Sequence, residues 1–122
     1  MEKILLVDDV ATNLKCVSKS LKDKYQFITA KSGEEALMLM KKEKPDLILL
    51  DICMPNMDGY EVLKRIKADV DGANIPVVFL TAESNLESEM KGRELGAADF
   101  IRKPFMPSAL FESIQAVLEQ NR

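Results

Sequence analysis

The chain has 122 residues, 47% hydrophobic and 30% charged, and a formal net charge of −3. That is the length of one domain, with enough apolar material for a core that needs no disulfide or metal staple. The acidic balance argues against a nucleic-acid surface. The absence of histidine excludes His-ligated metals, His general bases and Ser/His/Asp triads.

The first apolar run, Ile4-Leu5-Leu6-Val7, stops at Asp8-Asp9. It is too short for a signal peptide's core or a membrane span, so the chain reads as cytoplasmic, with no membrane partner. Cys16 and Cys53 stand far apart and form no C-x-x-C pair, which suits reduced thiols in a cytosol. Leu14, Val17 and Leu21 then recur with helical period, and Cys16 is expected to lie buried beside them as an inert thiol. Residues 25–30 form a modest strand candidate. Ser32-Gly33-Glu34-Glu35 fits a capping box, opening a helix that carries Ala36, Leu37 and Met40.

Leu47-Ile48-Leu49-Leu50 is a second fully apolar run, and a helix through Val62, Leu63 and Ile66 follows it. Val77-Val78-Phe79-Leu80 is the third run. Ser84-Asn85-Leu86-Glu87 fits another capping box, and Gly96 suits the C-terminal cap of that fourth helix. A weaker strand, Phe100-Ile101, precedes Pro107, which suits a first helical turn. Leu110, Ile114, Val117 and Leu118 complete a final apolar stripe. The seven methionines are read as core filler and Lys41-Lys42 as a solvated face. Apolar runs alternating with amphipathic helices five times predict a single α/β domain over residues 1–122. Its parallel sheet is doubly wound, with helices on both faces.

In such a sheet ligands bind at the carboxyl ends of the strands. Asp8 and Asp9 follow the first strand, Asp51 the third, Thr81 the fourth and Lys103 the fifth. Taken singly, an Asp after a strand is ordinarily a cap or turn residue. Together these residues supply a metal site, a nucleophile, a hydroxyl donor and a cation, the set that phosphoryl transfer uses. Carboxylates gathered this way repel, and an octahedral Mg²⁺ that keeps several waters would offset the repulsion.

Four segments carry a specific resemblance. They are Ile4-Leu5-Leu6-Val7-Asp8-Asp9, Leu49 to Gly59 (LLDICMPNMDG), Leu80-Thr81-Ala82, and Ala97 to Phe105 (AADFIRKPF). In this order and spacing the chain resembles the response-regulator receiver family of two-component signalling, over essentially its whole length. The resemblance implies a flavodoxin-like strand order 2-1-3-4-5. It makes Asp51 the phosphoacceptor, with Asp9 binding Mg²⁺ directly, Asp8 mainly through water, and the backbone carbonyl of Cys53 as a further ligand. Thr81 would bond a phosphoryl oxygen, Lys103 would pair with its charge, and small Ala82 would leave room beside it. Lys103-Pro104 would be a cis peptide. Phe100 holds the family's aromatic switch position, often Tyr, and Val10 stands where a polar residue is frequent.

The resemblance also implies partners. A histidine kinase or histidine phosphotransfer protein would donate the phosphoryl group. A target or effector, or a second copy in a homodimer, would meet the face of helix 4, strand 5 and helix 5. Such a protein catalyses only its own slow, Mg²⁺-dependent phosphorylation and dephosphorylation and is not a conventional enzyme. Three other readings compare poorly. A flavodoxin-type cofactor binder needs a hydroxyl- and Gly-rich phosphate loop where Asp8-Asp9-Val10-Ala11 stands. A haloacid-dehalogenase-like hydrolase resembles D-x-D-x-T, and this chain has Asp8-Asp9-Val10-Ala11-Thr12. A degenerate pseudo-receiver would lack site residues that are all present here.

Overall fold

The structure, a computed structural model, describes residues 1–82 and 85–121. Five βα units run in chain order: β1 (Lys3–Val7), α1 (Ala11–Ser20), β2 (Gln26–Ala30), α2 (Gly33–Glu43), β3 (Leu47–Leu50), α3 (Gly59–Ala68), β4 (Val77–Thr81), α4 (Leu86–Glu94), β5 (Asp99–Arg102) and α5 (Pro107–Gln120). All strand pairs are parallel and the order is β2-β1-β3-β4-β5. The expected fold is present.

The unbroken apolar runs follow from burial on both sheet faces. Successive side chains of a strand point to opposite faces, and each central strand divides accordingly. Leu5, Val7, Ile48, Leu50, Val77 and Phe79 enter the core shared with α2 and α3. Ile4, Leu6, Leu47, Leu49, Val78 and Leu80 enter the core shared with α1 and α5. Burying each such side chain contributes about 1.5–3 kcal/mol, so a polar substitution in β1, β3 or β4 would breach one core or the other. The sheet edges are polar at Gln26, Thr29 and Arg102, which discourages edge pairing.

Helix ends follow local chemistry, with two departures from expectation. Ser32 caps α2 by accepting from the Glu35 amide at 3.1 Å, but the Glu35 carboxylate accepts from Lys31 rather than closing on Ser32. At α4 the cap is Asn85, whose side-chain oxygen accepts from the Ser88 amide at 2.7 Å. Ser84, the expected cap, lies outside the described residues. Gly96 ends α4 at φ 106°, with the Ala97 amide on the Gly92 carbonyl and the Gly96 amide on that of Arg93. This is a Schellman motif, whose left-handed residue favours glycine.

Two expectations about burial need correction. Cys16 is exposed, as is Cys53. The buried stripe of α1 is Leu14 and Val17, and residue 16 falls about 200° around the helix from residue 14. Of the methionines, Met40, Met54 and Met57 are buried, whereas Met1, Met38, Met90 and Met106 are exposed.

Candidate phosphoryl-transfer site

The strand register brings the candidate residues to one edge. Val7 pairs with Leu50 and Thr81 with Arg102, so the residues that follow emerge side by side. Backbone hydrogen bonds extend the ladders by one step. The Asp51 amide donates to the Val7 carbonyl (3.0 Å), the Asp8 amide to Ala30 (3.1 Å) and the Lys103 amide to Thr81 (2.9 Å). These bonds place Asp8, Asp51 and Lys103 on the sheet, which holds them more rigidly than loops would.

Asp8, Asp9 and Asp51 each present a carboxylate oxygen within 4.8 Å of the others, with Asp8 and Asp51 buried and Asp9 open to solvent. At an effective dielectric near 20, each ionised pair at that separation costs about 3.5 kcal/mol. The Lys103 ammonium lies beside the two buried ones, 2.8 Å from Asp8 and 3.8 Å from Asp51. It donates to Asp8, so its primary contact here is Asp8 rather than the candidate phosphoacceptor. Asp8 also accepts from the Val10 amide at 2.9 Å and the Asn13 side chain at 3.1 Å. The first of these bonds steadies the entry to α1, where Val10 offers no side-chain cap.

Burial pushes the Asp51 carboxyl above its ordinary value. A hydrogen bond from the Thr81 hydroxyl and the charge of Lys103 pull the other way, Asp8 pushes it up again, and the Cys53 amide lowers it slightly. That amide points at Asp51 Oδ1 from 3.4 Å, so residue 53 lies beside the carboxylate while its thiol faces solvent. Thr81 is fully buried. Lys103-Pro104 is cis, as expected. Three carboxylates and a hydroxyl on one edge are hard oxygen donors, and together they suit a small divalent cation that retains water.

The chain matches the response regulator receiver domain family over residues 4–115. It belongs to the response regulator receiver family. The receiver is 43% identical over 120 residues to a probable transcriptional regulator, ycf27, of Guillardia theta, covering 98% of this chain and 46% of that protein. It is 42% identical to a probable cyclic di-GMP phosphodiesterase of Vibrio cholerae, covering 98% of this chain and 27% of that one. The chain thus spans less than half the length of these relatives. Among solved structures it resembles the Vibrio cholerae chemotaxis protein CheY4, with 36% identity and a TM-score of 0.91, covering 96% of this chain and 98% of that one. The family is one of signalling switches, whose members in two-component systems interact with kinases and effectors. Among the described residues of the receiver, no helix is long and apolar enough to cross a membrane.

Every candidate residue named from the sequence stands at this edge except Phe100, which lies within β5. Its ring is buried, 6.0 Å from that of Phe79. One contributor has no motif behind it, and a second lies within the Leu49 to Gly59 segment without a role of its own assigned there. Asn13, the first, bonds Asp8 from the first turn of α1. Gly59 is the other: a Cβ there would meet the Asp51 carbonyl oxygen at 2.4 Å and Ile52 Cα at 2.7 Å. The Asp58-Gly59 pair at the start of α3 was the available signal. Asp58 caps the helix by accepting from the Glu61 amide, and Gly59 lets it press against the backbone of Asp51.

Proposed function

We propose that this receiver takes a phosphoryl group on Asp51 from a phosphohistidine of a histidine kinase or histidine phosphotransfer protein. A carboxylate oxygen of Asp51 attacks phosphorus, the P–N bond breaks, and the electron pair leaves with the donor imidazole. The observation that carries this reading is the meeting of Asp8, Asp9 and Asp51 within 4.8 Å beside Lys103. Poorly solvated, the Asp51 carboxylate loses little hydration on attack, which favours it as a nucleophile.

The cation would be Mg²⁺, held by Asp9, Asp51 and the Cys53 carbonyl, with Asp8 acting through water. When bound, it supplies positive charge to the phosphoryl oxygens. Thr81 turns its hydroxyl from the carboxylate to a phosphoryl oxygen. Lys103, already 3.8 Å from Asp51, exchanges its contact with Asp8 for the new charge, and Ala82 leaves room. Water later attacks phosphorus, returning Asp51 and inorganic phosphate. This self-dephosphorylation is slow, and the product that matters is a conformation.

Phosphorylation adds roughly −1.5 to −2 charges and three strong acceptor oxygens. The groups that answer, Thr81 and Lys103, end β4 and follow β5, on either side of α4. The face of α4, β5 and α5 is therefore the output surface, toward a target, an effector domain or a second copy. Residues 1–122 act as one receiver domain in the cytoplasm, with no direct nucleic-acid contact.

Acetyl phosphate or beryllofluoride with Mg²⁺ tests the assignment. Mass spectrometry is expected to find the phosphoryl adduct on Asp51, lost with EDTA and in Asp51→Asn. The same adduct on Asp51→Asn overturns it.

A further inference from the structure

Among the helices, α4 has little apolar anchorage. Its buried residues are Ser88 and Gly92, while Leu86 and Met90 are exposed at 67% and 53%. Helices in proteins draw most of their stability from burying an apolar face, so α4 depends on specific contacts. Two ion pairs to β5, Glu89 with Arg102 and Arg93 with Asp99, both at 3.4 Å, are solvent-exposed, and such pairs hold weakly.

The contact from α3 is better built. Tyr60 donates its hydroxyl to the Ser88 carbonyl at 3.2 Å. Its ring lies under the Lys91 ammonium, 4.3 Å from the centroid. The same ring meets Phe79 edge-on at 5.7 Å, and Phe79 meets Phe100 at 6.0 Å. Gly92 closes the arrangement, since a Cβ there would stand 2.9 Å from the Phe79 ring. One tyrosine thus grips the first turns of α4 and abuts the aromatic stack beneath it.

The state of Phe100 gives this contact its meaning. Phe has no hydroxyl to be drawn outward by water or a partner, and leaving the core would expose its whole ring. With that ring packed inward, α4 is the helix of this face with the least apolar anchorage, where α5 buries Leu110, Ile114, Val117 and Leu118. We propose that Tyr60 is a latch on α4. Its hydroxyl on Ser88 and its ring under Lys91 hold the helix in its resting place, and activation consists of breaking that contact. Phe100 stays packed throughout. This rests on the phosphoacceptor reading above, in which Thr81 answers the phosphoryl group. Tyr60 touches none of the reacting atoms and acts as a positioning residue.

The test compares the full chain with Tyr60→Phe, which keeps the ring, and Lys91→Met, which keeps the stem. Amide NMR would follow beryllofluoride titrations in saturating Mg²⁺. Free Tyr60→Phe is expected to show α4 amides displaced toward their beryllofluoride positions. Its half-saturating beryllofluoride concentration should fall roughly two- to tenfold, the weight of one hydrogen bond. Lys91→Met should lower it about two- to fivefold. The double variant should fall short of the product, because both changes act on one contact. Mg²⁺ affinity without beryllofluoride should not move, a result that general loosening of the fold would not give. Wild-type half-saturation in both variants, or a higher value in Tyr60→Phe, overturns the latch while leaving the phosphoacceptor intact. If the wild type takes no beryllofluoride, the phosphoacceptor reading falls instead. The latch is then judged on the free proteins, where unchanged relaxation dispersion at α4 amides in Tyr60→Phe overturns it.

Discussion

Replacing Asp51 by Asn should stabilise the fold in metal-free buffer at neutral pH. The change preserves shape and keeps an acceptor for Thr81 while deleting one of three clustered charges. Asp8 and Asp9 stand within 4.8 Å of Asp51, a cost of about 3.5 kcal/mol per ionised pair at an effective dielectric near 20. Lys103 at 3.8 Å offsets about 4 kcal/mol on the same scale. Asp9 is open to solvent and so more screened. The pairwise terms therefore largely cancel, and burial leaves the net penalty on the ionised carboxylate, roughly 1–3 kcal/mol for a poorly compensated buried group. With roughly 4 °C per kcal/mol for a domain this size, the variant's Tm should rise by several degrees.

The pH dependence of that gap has a definite sign. Burial raises the folded-state value of Asp51 above its unfolded one, against the pull of Thr81 and Lys103. Between those two values the native chain holds more protons than the unfolded chain, so wild-type stability falls as pH rises through the window. Asn has nothing to titrate. The gap should be widest near pH 7 and should close as the pH falls below the ordinary carboxylate range, about 4. Thermal melts of both proteins in EDTA from acid to neutral pH would measure it. Adding Mg²⁺ should narrow the neutral gap, because the wild type gains binding energy that the variant loses in part. A wild type more stable than Asp51→Asn at neutral pH without metal, or a gap that widens on acidification, would refute the electrostatic account of the site.

Two further outcomes follow from the geometry. Thr81→Ala should still accept beryllofluoride at Asp51 yet lose the induced amide shifts across residues 86–94 and 107–120; shifts of wild-type size would show that Thr81 does not transmit the signal. Gly59→Ala should cost about 3 kcal/mol, because its Cβ meets immovable backbone at Asp51 and Ile52, and should weaken beryllofluoride binding as well; a wild-type Tm would show that α3 moves aside freely.

Much of this receiver was legible in one dimension because its central strands are buried on both faces. Ile4 to Val7, Leu47 to Leu50 and Val77 to Leu80 have no polar side to hide, so each run declares a strand and its end declares where the site lies. A parallel sheet then has no freedom to scatter those ends, and Asp8, Asp9, Asp51, Thr81 and Lys103 converge by register alone. Exposure is decided locally too, but by angle. The helical spacing from Leu14 and Val17 turns Cys16 outward, even though it sits between them in the sequence.

What required the tertiary structure is everything settled by competition among neighbours from distant segments. Lys103 could face either buried carboxylate, and it lies nearer Asp8, which Asn13 and the Val10 amide also hold. Phe100 could point in or out of β5. It points in because Phe79 and the bare backbone of Gly92 leave room for the aromatic stack. Tyr60 reads as one more residue of an amphipathic helix until α4 is laid against it. Its hydroxyl then finds a carbonyl 28 positions away, a meeting that the packing angle of two helices creates and that no local pattern encodes.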